Sequence, residues 1–128
     1  MMKYLIDTHV VLWIAENSVM LSANAKDAIL DENNEKYVSI VSAWEITIKL
    51  GTGRLKLNGG VDEFFRMTDD NGFFTLSVER EYIRHLERLS DIHKDPFDRL
   101  IVATAMAENM TVITADENIH KYDVQCLW

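Results

Sequence analysis

The chain has 128 residues, 13 basic against 21 acidic, for a formal charge of −8, and one cysteine. That balance argues against a basic nucleic-acid coat and permits an acidic pocket, a cation site or a basic partner. An internal disulfide is excluded, the early charges leave no signal peptide, and no apolar run reaches the ~20 residues of a membrane helix, so a cytoplasmic, non-membrane protein is expected, folded as one domain over residues 1–128.

Tyr4-Leu5-Ile6 reads as a buried strand ended by Asp7-Thr8, and a short helix follows through Val10 and Ala15. An aspartate in that place can simply cap the helix. Ser22 opens a helix to Asp31 with Ala25, Ala28 and Ile29 inward, and residues 31–36 form a polar turn. A second strand is expected over residues 37–41. Ser42 then opens a helix that Gly51 stops. Ser42 and Glu45 match the S-x-x-E capping box, in which the glutamate bonds back to the N-cap N–H. Glu45 is therefore either a cap or a site residue on local grounds.

Residues 52–60 are a Gly-containing connection carrying Arg54 and Lys56, and residues 61–68 form a helix with Phe64 and Phe65. Asp69-Asp70-Asn71-Gly72 signals a turn, residues 73–78 a third strand, and residues 79–89 an amphipathic helix. The next helix has Asp95 as N-cap and Pro96 at its first position, with Ile101, Val102 and Ala105 inward, and runs to about Asn109. Asp98 sits in its first turn, where the helix end favours a negative charge. Residues 111–114 form a fourth strand ended by Ala115-Asp116, and residues 124–128 a fifth at an edge.

Short apolar strands alternating with helices imply a parallel sheet with helices on both faces. In such sheets ligands sit beyond the C-terminal strand ends, where strand order reverses. Asp7 and Asp116 follow strands, while Glu45 and Asp98 begin helices that start at that same edge. All four carboxylates are thus expected around one crevice. At ~5 Å and an effective dielectric near 20, each ionised pair costs roughly 3 kcal/mol. Raised pKa values or a hard divalent cation, Mg²⁺ or Mn²⁺, would relieve this. His9, His85, His93 and His120 lack metal-ligand spacing and read as surface or polar-contact residues. There is no Gly-rich phosphate loop and no nucleophile motif. Hydrolysis of a phosphodiester by cation-activated water is the chemistry that remains.

Four segments, Leu5-Ile6-Asp7-Thr8-His9, Ser42-Ala43-Trp44-Glu45-Ile46, Asp95-Pro96-Phe97-Asp98-Arg99 and Thr114-Ala115-Asp116, together resemble the PIN-domain family, and within it the VapC-type toxins of bacterial toxin–antitoxin pairs. The resemblance implies an α/β fold with a five-stranded parallel sheet in the order 3-2-1-4-5. It implies a Mg²⁺- or Mn²⁺-dependent ribonuclease whose acidic positions fall on Asp7, Glu45, Asp98 and Asp116, with Thr8 and Thr114 lining the site. Lys49, Arg54 and Arg99 are candidate RNA contacts. It also implies a cognate antitoxin protein that sends a cationic side chain into the pocket, and a homodimer. Trp13, Phe64 and Phe65 are either core or an apolar face that the antitoxin covers. A nuclease acting on structured DNA and a catalytically silent interaction module are the alternatives.

Overall fold

The structure is a computed structural model and describes residues 2–128. Its axis is β1 (Lys3–Ile6), which pairs in parallel with β2 (Glu35–Ser39) on one side and β4 (Thr111–Ile113) on the other. β3 (Phe74–Leu76) and β5 (Cys126–Leu127) extend the edges, giving the order 3-2-1-4-5 with every pair parallel, as expected.

Successive strand residues point to opposite faces. Tyr4 and Ile6 of β1 therefore enter one core and Leu5 the other; Ile113 and Val112 of β4 divide in the same way. Burial on both faces explains why the inner strands are continuous apolar runs. On the first face lie α1 (Thr8–Ala15), α2 (Ala23–Leu30), α3 (Ile40–Gly51) and α4 (Gly60–Asp70), which contribute Val10, Val11, Ile29, Ile46 and Phe64. On the second, α6 (Pro96–Glu108) and α7 (Glu117–His120) contribute Ile101, Val102 and Ile119. α5 (Arg80–Glu87) packs on α6, and its buried Tyr82 donates a 2.9 Å hydrogen bond to Glu108.

Several boundaries differ from the sequence reading: β2 begins at Glu35, inside the expected polar turn, α4 runs to Asp70, into the expected 69–72 turn, and β4 ends at Ile113. β2 ends at Ser39, and Ile40 and Val41 already belong to α3. The N-cap of α3 is Ser39, whose hydroxyl accepts from Val41 N–H, so Ser42 and Glu45 do not form a capping box. The strands at residues 73–78 and 124–128 shrink to three and two residues. α7 is an additional short helix, capped by the side chain of Asp116. The caps at Ser22 and Asp95 fall where the sequence places them.

The chain moves outward from β1 to β2 and β3, then returns to the other side of β1 for β4. The reversal lies between β1 and β4, and just beyond it the Asp7 N–H donates to the Ile113 carbonyl at 3.1 Å. Asp7 therefore stands at the point where a ligand crevice forms in such a sheet.

Candidate active site

Asp7 occupies the N-cap position of α1, yet its side chain makes no capping bond there. Its Oδ2 accepts from Thr114 Oγ1 at 2.9 Å instead. Thr114 Oγ1 in turn accepts from the Asp116 N–H at 3.0 Å, so one fully buried hydroxyl links the ends of β1 and β4. Asp7 is 7 % exposed. Burial is the main reason its carboxyl is held above the usual carboxylate range; the Glu45 charge adds to this, and the Thr114 hydrogen bond opposes it.

Helix α3 carries Glu45 to the same place. Because α3 begins at Ile40, Ser42 and Glu45 sit one turn apart on its buried face. Glu45 is 4 % exposed, with Oε2 2.7 Å from Lys49 Nζ one turn on and Oε1 3.0 Å from Thr8 Oγ1. Thr8 Oγ1 is also 2.7 Å from Ser42 Oγ. Each hydroxyl has one proton, so a chain in which Ser42 donates to Thr8 and Thr8 to Glu45 satisfies all three groups.

Helix α6 presents Asp98 from its first turn. Asp95 Oδ1 accepts from the N–H groups of Phe97 and Asp98, fixing that turn. The Asp98 carboxyl is pushed up to about 8, first by burial and then by the charges of Asp7, Asp95, Glu45 and Asp116. All four expected carboxylates are thus electrostatically one cluster. Asp116 closes it. Its Oδ1 accepts from Asn118 N–H at 2.8 Å as the cap of α7, and its Oδ2 accepts from His93 Nε2 at 3.1 Å.

His93 was not singled out by spacing, and the structure brings it into the centre of the site. Its Nε2 also lies 3.0 Å from Asp98 Oδ2, so His93 bridges Asp98 and Asp116, and the three ligand-type atoms lie within 4.8 Å of one another. No local pattern in the sequence signals this; in the structure the Asp95 N–H at the cap of α6 donates to His93 Nδ1 at 3.3 Å. Arg99, expected near phosphate, holds this loop instead. Its Nη1 donates to the carbonyls of Ser90 at 3.0 Å and His93 at 3.3 Å, and to Tyr122 Oη at 3.3 Å. Lys49 is paired with Glu45, whereas Arg54 is exposed beyond the end of α3. Of the three aromatics, Phe64 is core, Trp13 is half-buried against Trp128, and Phe65 is at the surface. Trp44, one residue before Glu45, is 61 % exposed and meets Phe97, one residue before Asp98, edge-on at 5.1 Å.

This donor set fits a hard divalent cation. It consists of carboxylate oxygens held close together at a cost that the raised Asp7 and Asp98 carboxyls register, with Lys49, His93 and the hydroxyls of Thr8 and Thr114 as polar partners. Oxygen donors of this kind suit Mg²⁺ or Mn²⁺. A cavity of about 860 Å³ lies at the opposite edge of the sheet, lined by Lys3, Asn109 and Tyr122 among others, and includes none of these carboxylates.

The same fold recurs among solved proteins at low identity. A structure of VapBC2 from Rickettsia felis bound to a DNA fragment from its promoter matches with a TM-score of 0.71 and 15 % identity over 98 % of each chain. A DNA-bound VapBC from Salmonella typhimurium matches with a TM-score of 0.69 and 13 % identity, covering 99 % of this chain and 98 % of that one. VapBC-1 from nontypeable Haemophilus influenzae matches with a TM-score of 0.67 and 18 % identity, covering 98 % and 97 %. No curated protein matches by sequence. The PIN domain family model matches residues 4–125, nearly the whole chain, and the chain belongs to that family.

Proposed function

We propose that this protein is a Mg²⁺- or Mn²⁺-dependent endoribonuclease and the toxin of a toxin–antitoxin pair. The observation that carries the reading is the convergence of Asp7, Glu45, Asp98 and Asp116 on one sheet edge, close enough for the other three to raise the carboxyl of Asp98. Membership of the PIN family and the likeness to toxin–antitoxin complexes support it.

Asp7 and Asp98 are the residues to hold the cation, from the end of β1 and the first turn of α6. The cation, when bound, supplies an activated water and neutralises charge on the phosphate. Glu45 is fixed by Thr8 and Lys49 and orients the attacking side of the site. Thr114 keeps Asp7 in place, and Asp116 closes the far side through His93 and the cap of α7. The pocket that holds a cation would equally accept a guanidinium, so an antitoxin arginine reaching Asp98 is the expected mode of inhibition. Two copies of the chain are the expected assembly.

The test is cleavage of a mixed single-stranded RNA with Mg²⁺ or Mn²⁺, beside Asp7→Asn and Asp98→Asn. The reading expects metal-dependent cleavage that falls at least ~100-fold in both variants, about 3 kcal/mol of transition-state stabilisation. Cleavage that persists in the variants, or a folded parent that cleaves flapped DNA and no RNA, would overturn it.

A further inference from the structure

Asp116, like Glu45 with its Thr8 and Lys49 partners, has both oxygens already engaged within the chain. Oδ1 takes the Asn118 N–H at 2.8 Å, and Oδ2 takes His93 Nε2 at 3.1 Å. His93 Nε2 is also 3.0 Å from Asp98 Oδ2, so the imidazole edge stands where a cation bridging Asp98 and Asp116 would stand. The ring cannot easily become a ligand in that place. Its Nδ1 accepts from the Asp95 N–H at 3.3 Å, which leaves the hydrogen on Nε2, facing the carboxylates. The loop that presents it is tied down: the His93 N–H donates to Tyr122 Oη at 2.8 Å, and Arg99 holds the carbonyls of Ser90 and His93.

We propose that His93 is a positioning residue that takes the place of a second cation, so that the site holds one divalent ion, on the Asp7–Asp98 side. The inference rests on the metal-dependent reading above and deepens it. An N–H donor supplies Asp116 with its hydrogen bond without adding a dication beside the first, and it fixes the distance between Asp98 and Asp116 whether or not metal is bound.

The experiment is Mn²⁺ titration of the purified protein, read by calorimetry and by the loss of free-ion EPR signal, for the parent, His93→Ala and His93→Gln. Glutamine offers an N–H at a similar reach. The expected stoichiometries are one ion for the parent, two for His93→Ala and one again for His93→Gln. Two ions in the parent, one ion in His93→Ala at unchanged affinity, or nitrogen coupling from a histidine ligand in the parent's Mn²⁺ spectrum would each overturn the inference. RNA cleavage on the same samples separates it from the underlying reading. One ion bound with no cleavage of any RNA would sink the ribonuclease and leave the stoichiometry standing. No ion bound at millimolar Mn²⁺ would sink both.

Discussion

At the scale of single residues, ionising Asp98 among its buried acidic neighbours makes the site costly to fold. A free aspartate ionises near pH 4, whereas Asp98 does so at about 8 in the folded chain. Between those values the folded state keeps a proton that the unfolded state has released, so stability falls as pH rises. The contribution is fully present below about pH 4 and is lost as pH passes through 8; the raised carboxyl of Asp7 acts in the same direction. In chelator, the melting temperature of the parent is therefore expected to fall from pH 5 to pH 8 more steeply than that of Asp98→Asn. At pH 8 the variant is expected to melt higher, by about 4 °C for each ~1 kcal/mol of relieved repulsion in a chain of this length. Divalent cation should reverse the order. Parallel melting curves for the two proteins across this range would show that Asp98 ionises normally. Asp98 and Asp7 were legible because each sits at a recognisable boundary, a helix N-terminus and a strand end. His93 was not, because its role depends on Arg99 and Tyr122 folding a loop back over the site, and no local period encodes that.

The same division between local and distant causes holds for whole elements. The start of α6 is written in Asp95 and Pro96, and the structure keeps both roles. Asp95 also does harm, since its charge contributes to the raised carboxyl of Asp98. Its two effects can be separated. Asp95→Ala loses the cap and should cost about 1 kcal/mol in denaturant unfolding. Asp95→Asn keeps an acceptor for the Phe97 and Asp98 N–H groups and removes the charge, so it should cost less and lower the pH at which Asp98 titrates. Equal losses in the two variants would mean that the charge, not the cap, holds this turn. The start of α3 was misplaced because Ile40 and Val41 are β-branched and apolar and continue the strand pattern. Ser39 and Ser42 are also three apart, so either could cap. The structure chooses Ser39, and that choice releases Glu45 from capping and turns it to the site. The short outer strands were overestimated because their flanking apolar residues pack in the core without pairing, as Phe73 does.

At the scale of the whole molecule, a formal charge of −8 repels a polyanion, so the proposed RNA substrate is expected to be held by few contacts. Of the three cations expected to contact RNA, Arg99 is occupied with the 90–93 loop and Lys49 with Glu45, whereas Arg54 is exposed beyond the end of α3. Each phosphate neutralised on a single strand contributes about −0.7 to the slope of log affinity against log salt. One or two contacts therefore predict a slope between about −0.7 and −1.4, measured by fluorescence anisotropy in the Asp98→Asn background so that bound RNA survives. Arg54→Glu is the clean probe, because reversing Lys49 would also strip Glu45 of its partner and disturb the acidic cluster. The substitution should weaken binding at low salt and flatten the slope by about 0.7. Unchanged affinity at low salt would remove Arg54 from the interface. A parent slope steeper than about −3 would require more phosphate contacts than these residues can make. The second copy of the chain would then have to bring its own basic residues across the substrate, and the slope should fall when the protein is diluted below its dimerisation constant.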